Sequence, residues 1–471
     1  MVQFYRKFGP LREFEEEGLS LNRLLRLSLF QVSVGLAQVL FFGTLNRVMI
    51  VELQVPATIV SIFIGIPVLV APFRALIGYK SDTHVSILGW RRVPFIFGGT
   101  ALQWSGLAFM PFALVLLEGE QRWGPTWLGW LFSGLAFLLV GTGAHVTQTA
   151  GLALATDLST PRMKPKVVAL MYLMLLVGMT LCSVVVSGLL ADYSPIKLIK
   201  VVQGTALVAL AVNVFACWKQ EAGDREWARA QKGKRQPLFM EAWLKFIDGG
   251  PAVRLLTATF LGMFALNLQD VLLEPYGGEV LGLSVSQTTW LTGVYTIGSI
   301  AALGLAAPML ARGWDPTRVS WAGLASGAVG FVLIVVAAPA ANRWVFQAGT
   351  MVVGMAEAFF AVGTLAAAMA IQDKNQHGIA LGAWGAVYAT GEGFGLALSG
   401  VFRDWVAHLM NTGMLRGSWV SAATPYVAVY YLEIAGVVLT VLLMIPLLRR
   451  ERQAAEVPPA AKPLDLVEYL A

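Results

Sequence analysis

Charge is scarce in this 471-residue chain. Asp, Glu, Lys and Arg together make up 13% of it, while 57% is hydrophobic and the mean hydropathy is +0.67. That balance excludes an ordinary soluble globular protein. Histidine is nearly absent, with four residues, and cysteine more so, with two. Cys182 and Cys217 belong to different apolar segments at unmatched depths, so each reads as a small buried hydrophobe and no disulfide is expected. With so few His and Cys there is no Cys/His metal cluster. Gly-x-Ser-x-Gly and phosphate-loop motifs are also missing, so no enzyme is expected. A membrane prenyltransferase needs two Asp-rich diphosphate motifs, and Asp270-x-x-x-Glu274 is single and faces the wrong side. The N-terminal segment has no apolar h-region, so no cleaved signal peptide is expected.

What is abundant is apolar stretch of about 20 residues, the length that crosses a hydrocarbon core. The spans read as 26–52, 56–79, 93–117, 126–155, 167–191 and 197–218, then 252–275, 286–311, 319–340, 344–371, 379–407 and 425–448. The second six echo the first. Leu45-Asn46-Arg47-Val48-Met49 matches Leu268-Gln269-Asp270-Val271-Leu272, and Ala150 to Asp157 matches Ala366 to Asp373, at offsets close to half the chain. Two six-span halves related by a repeat resemble the major facilitator fold, so an all-α membrane protein of 12 transmembrane helices is expected. Its parts are an N-terminal half (1–218), a cytoplasmic linker (219–250), a C-terminal half (251–448) and a disordered tail (449–471). Most of the 34 Lys and Arg fall in segments on one side, whereas the opposite loops hold only Arg122, Lys197, Lys200, Arg343, Arg403 and Arg416. By the positive-inside rule both termini are cytoplasmic. The net charge of +6 then reflects topology, and no nucleic-acid partner is implied.

Charge inside a membrane is costly and marks sites to inspect. Arg47 in span one and Asp270 with Glu274 in span seven lie at matching depths, and an inter-half ion pair is the economical expectation, with a proton or substrate site as the alternative. Glu357 and Glu392 lie deeper; they either bind protons or cationic groups, or are acids hydrogen-bonded within the bundle. Gly78 and Asp82, followed by Arg91 and Arg92, read as a cytoplasmic latch between spans two and three, or as a docking loop, in which the arginines hold the halves or meet lipid phosphates. His145 is mid-membrane among Gly141, Gly143 and Ala144. It offers a nitrogen and space for a flat macrocycle, as the axial ligand of a tetrapyrrole magnesium requires, with Gln148 one turn on to bond a pigment carbonyl. Otherwise it is a histidine bonded to another helix, and Asn267 or Gln269 becomes the next candidate ligand.

Several blocks carry a more specific likeness. Gly43-Thr44-Leu45-Asn46-Arg47-Val48-Met49, Ser81-Asp82-Thr83-His84 with Leu88-Gly89-Trp90-Arg91-Arg92-Val93-Pro94, Thr147-Gln148-Thr149-Ala150-Gly151 through Asp157, and Gln269-Asp270-Val271-Leu272-Leu273-Glu274-Pro275-Tyr276-Gly277-Gly278 resemble the PucC/LhaA family, also called the bacteriochlorophyll delivery family. The resemblance spans roughly 20–448. It implies a factor that assembles light-harvesting antenna complexes in the inner, intracytoplasmic photosynthetic membrane of purple bacteria. It further implies bacteriochlorophyll a as the cofactor, and light-harvesting α/β polypeptides, bacteriochlorophyll synthase and the reaction-centre complex as partners beside the membrane lipids. The core antenna is slightly favoured over the peripheral one as target. The competing expectation is a proton-coupled small-molecule transporter.

Overall fold

The computed structural model describes residues 21–69, 74, 77, 80, 81, 90–117, 125–160, 164–221, 250–370, 377–417 and 420–456. These residues form helices: α1 (Leu21–Glu52), α2 (Ala57–Leu69), α3 (Val93–Leu117), α4 (Thr126–Asp157), α5 (Lys164–Leu189), α6 (Pro195–Cys217), α7 (Gly250–Asn267), α8 (Leu273–Glu279), α9 (Val285–Ala311), α10 (Pro316–Ala337), α11 (Arg343–Ala370), α12 (His377–Asn411) and α13 (Thr424–Glu456). Among the described residues nine helices are long and apolar enough to cross a membrane, and Ala57–Leu69 and Val253–Asn267 are shorter apolar helices.

Starts are set by local chemistry. Ser194 caps α6 ahead of Pro195, and Asp315 caps α10 ahead of Pro316, each side chain accepting from an otherwise unpaired N–H. Ser284 and Gln287 form a reciprocal capping box at α9.

Packing follows two matched sets. In the first, α1 packs on α4, α5 and α6, α3 on α4 and α6, and α2 on α4. In the second, α7 packs on α11, α12 and α13, α10 on α11 and α13, and α9 on α11. The halves meet where α2 crosses α12 and α5 crosses α9, which are themselves equivalent contacts. Small residues allow these approaches. A Cβ on Gly65 would stand 2.7 Å from the Ala397 Cβ, and one on Gly400 would run into the Ala57 carbonyl. The outer surface is apolar, with Phe112 at 66% exposure and Leu207 at 60%, as lipid contact requires.

Two expectations are corrected. Span seven is not continuous: the chain unwinds between Asn267 and Leu273. Pro275 has no N–H to return to the Val271 carbonyl, and the Asn46 amide of the other half takes that carbonyl at 2.6 Å instead. The equivalent stretch of α1 widens into π-helical turns over Val39–Leu45 and Val48–Glu52. At the C-terminus, helix α13 continues past Arg449 to Glu456, so the first part of the expected disordered tail is helical. Cys182 and Cys217 are buried free thiols, as expected.

Candidate functional site

Between described residues, the hydrogen bonds that join the halves gather toward one end of the bundle. Thr44 meets Thr289 at 3.0 Å, Thr180 meets Thr296 at 2.8 Å, and Ser187 donates to the Ser286 carbonyl at 2.9 Å. On the other side of the interface, Asp404 Oδ2 accepts from both the backbone N–H and the hydroxyl of Thr58, each at 2.8 Å. Arg403 braces that carboxylate at 2.9 Å and also donates to Glu279 at 2.8 Å and to the Tyr426 hydroxyl at 3.1 Å, while its guanidinium stacks over the Tyr426 ring. The sequence reading passed over this cluster. Four of its members are charged or phenolic groups at span ends, which is the signal that would have found it.

Arg47 is part of the same closed end, but with other partners than expected. Its guanidinium pairs with Glu52, one helical turn on, and donates to the Leu283 carbonyl of the other half at 3.2 Å. No ion pair links Arg47 to Asp270 or Glu274 among the described residues. Glu274 instead accepts from the Thr292 hydroxyl at 2.7 Å, and the unwound chain turns Asp270 toward Gln269 and the bundle centre. Unwinding of span seven rotated Asp270 and Glu274 off a common helical face.

At the centre, side chains from both halves converge. Arg74, beyond α2, donates through Nε to His145 Nδ1 at 3.0 Å and through Nη2 to Gln148 Oε1 at 2.7 Å, and Gln148 reaches Gln31 at 3.4 Å. Across the interface Arg74 lies within electrostatic range of Glu392, and Glu392 within that of Glu357 and Asp270. The Tyr388 hydroxyl donates to Glu357 at 3.2 Å. Tyr172, 49% exposed, faces the same space as Arg74 and Glu392. Glu357 and Glu392, far apart in the sequence, are thus brought into one cluster, in which Glu392 faces Arg74. Arg74, Gln31, Tyr172, Tyr388 and a fully buried acid, Glu433, were not singled out from the sequence. For Arg74 and Glu433, charge within a span was the available signal.

The pigment-ligand expectation for His145 does not fit this geometry. Arginine is a donor only, so Nδ1 must be the acceptor and the ring proton is assigned to Nε2. Neither nitrogen then has a free lone pair for magnesium, and Nε2 is buried against the Pro67 backbone. Among the described residues, the small side chains beside it do not hold a space open. Gly141 abuts the Pro67 ring, Gly143 sits against the backbone of Gly99 and Gln103, and Ala144 packs with Val34 and Leu175. The small residues are used for helix crossing. Gln148 is engaged by Arg74. Asn267 bonds back to the Met263 carbonyl at 2.8 Å, and it and Gln269 are both fully enclosed.

Of the latch residues, Gly78 and Asp82 lie outside the described residues. Arg91 and Arg92 open α3, and their backbone N–H groups, with that of Val93, converge on the Glu221 carboxylate at 2.7–3.1 Å. The Arg92 guanidinium bonds Asp157 at 3.2 Å and Ser81 at 2.6 Å. These contacts tie the ends of α3, α4 and α6 together within the first half.

Comparison with known proteins agrees with this architecture. A family model described as PUCC protein matches residues 44–452. Protein PucC of Rhodovulum sulfidophilum is 51% identical over 89% of this chain and 92% of its own length, and Protein PucC of Cereibacter sphaeroides is 47% identical over 95% and 97%. Among solved structures, a bacterial homologue of the human lysosomal transporter Spinster, in an inward-facing and unoccupied conformation, superposes with a TM-score of 0.62 at 14% identity, covering 90% of this chain and 94% of that one. That likeness concerns the fold, a transporter-like helical bundle. With the match running through nearly all of the membrane region, this multi-pass membrane protein belongs to the PUCC protein family.

Proposed function

We propose that this protein is an assembly factor for a light-harvesting antenna complex of a purple phototrophic bacterium, acting in the intracytoplasmic membrane with 12 crossings and both termini in the cytoplasm. The observation that carries the reading is the family membership over residues 44–452. Light-harvesting α/β polypeptides are the partners, with the core antenna as the favoured target and bacteriochlorophyll synthase and the reaction-centre complex as further contacts. Each antenna polypeptide crosses the membrane as one apolar helix. The lipid-facing wall offers it a surface such as Phe112, Leu131, Val185 and Leu207. Bacteriochlorophyll a supplies the magnesium macrocycle that the antenna binds. In this reading the chain presents antenna helices for pigment loading and does not ligate the pigment through His145. Deletion of the gene should deplete one antenna complex while free bacteriochlorophyll synthesis continues. Normal antenna levels in the deletion strain would overturn the proposal.

A second reading, a proton-coupled transporter, is favoured by the group of buried acids Asp270, Glu357 and Glu392, the last of them facing Arg74, in a bundle whose inter-half bonds gather at one end. It predicts a soluble solute whose uptake or efflux is lost on deletion, with antenna assembly intact.

A further inference from the structure

We propose that the break between α7 and α8 binds a dehydrated monovalent cation of sodium size, with Glu433, Gln269 and Asp270 as its oxygen ligands. Glu433, on α13, is fully buried, and neither of its carboxyl oxygens has a hydrogen bond of normal geometry, the backbone N–H of Gln269 being the donor that approaches it. It faces the backbone of Gln269 and lies within electrostatic range of Asp270. Gln269 is an independent pointer. It too is fully buried, and its amide nitrogen donates to Asp270, which fixes the carbonyl oxygen as the end left without a partner. Three enclosed oxygens are therefore unpaired beside a second carboxylate, and every one of them is an acceptor when the acids are ionised. The Tyr430 hydroxyl, also without a partner and within electrostatic range of both carboxyls, can serve one of these acceptors; those left over are costly to bury, and a cation is what such a set accommodates.

The surrounding backbone has the same polarity. Helix α7 ends at Asn267, so the negative end of its dipole lies at the break. Interrupted membrane helices supply this environment for coupling ions. The neighbouring guanidiniums are committed elsewhere: Arg403 to Glu279 and Asp404, Arg47 to Glu52, and Arg74 to His145 and Gln148.

The donor set also selects the ion. Magnesium keeps several waters and calcium takes six to eight oxygens, which two carboxyls and one amide in a closed site do not provide. Among the described residues no three His, Cys, Asp or Glu side chains gather as a metal site, so a transition metal lacks its usual ligands. Protons on the two acids would also supply donors, and sodium-dependent binding separates that case from a bound cation.

The test is radiolabelled sodium (22Na) binding to the purified full-length protein in detergent, alongside melting curves in sodium chloride and in choline chloride at equal ionic strength. Saturable 22Na binding is expected, displaced by unlabelled sodium and not by choline, with a melting temperature that rises with sodium concentration. Glu433→Gln and Gln269→Leu should each weaken binding at least tenfold, whereas Glu52→Gln should not change it. Should Glu433→Gln fail to fold, Gln269→Leu and the wild-type isotherm still decide. Absence of saturable 22Na binding overturns the site, as does binding unaltered in both variants. So does displacement by micromolar calcium, or stabilisation by acid in choline without sodium binding, which would indicate a shared proton only.

Discussion

Asp404 caps helix α2 from the opposite half of the molecule, taking the Thr58 backbone N–H and hydroxyl on one oxygen at 2.8 Å each. A carboxylate at a helix N-terminus satisfies an orphan donor and complements the helix dipole, and here it also joins the halves. Asp404→Ala should therefore lower stability by about 1–2 kcal/mol, in line with the loss of a strong cap. Asp404→Asn, which keeps the acceptor oxygen, should recover more than half of that loss. Thermal denaturation in detergent measures both, and equal losses in the two variants would argue against capping.

Glu221 performs the same task within the first half, for the three N–H groups that open α3. Because it follows α6, it fastens the start of one helix to the end of another. Glu221→Ala should cost about 1–3 kcal/mol, the range for leaving buried donors unsatisfied, and Glu221→Gln distinctly less. If both variants melt with the wild type, the carboxylate has no such role.

Arg47 offers a test of partner choice. Residues in contact give non-additive effects, while separate sites add to within about 0.5 kcal/mol. Arg47→Ala with Glu52→Ala should show coupling in a double-mutant cycle, and Arg47→Ala with Asp270→Ala should add. The reverse result would restore the inter-half ion pair.

The membrane fold was legible because its signals are long and redundant: apolar runs, the repeat around Asn46 and Gln269, and the clustering of basic residues. Charge within the apolar spans was legible too, so Arg47, Glu357 and Glu392 stand out as residues to place. Their partners were not. Helical periodicity puts Asp270 and Glu274 on one face, but Pro275 breaks the helix between them, and the resulting turn sends one to the bundle centre and the other to Thr292. The role of the glycines around His145 was ambiguous for a similar reason. Space beside a small residue reads the same in sequence whether a ligand or another helix fills it.

Glycine at the crossing of α2 and α12 is required by distance. A Cβ at Gly65 would lie 2.9 Å from the Ala397 nitrogen, and one at Gly400 would meet the Ala57 carbonyl, so backbones would have to separate. Gly65→Val or Gly400→Val should abolish monodisperse protein or shift its melting point down by several degrees, since overpacking costs about 1–3 kcal/mol or more. Gly204→Ala is the control, because nothing lies within 4 Å of a Cβ there. Size-exclusion profiles that are alike for all three would show that the halves tolerate a wider crossing.

His145 decides between a pigment ligand and a structural partner. In the arrangement found here, His145→Leu removes the acceptor for Arg74 Nε and leaves that guanidinium with Gln148. Loss of one partner of a buried donor costs about 1–3 kcal/mol, so the melting temperature should fall. His145→Gln, with a side-chain oxygen able to accept from Arg74, should restore part of it. Any near-infrared pigment band that copurifies with the wild type should keep its position and intensity in both variants, because neither imidazole nitrogen holds a free lone pair for magnesium. A band that shifts or disappears in His145→Leu while the melting temperature is unchanged would mean that Arg74 swings away and the histidine turns to the metal.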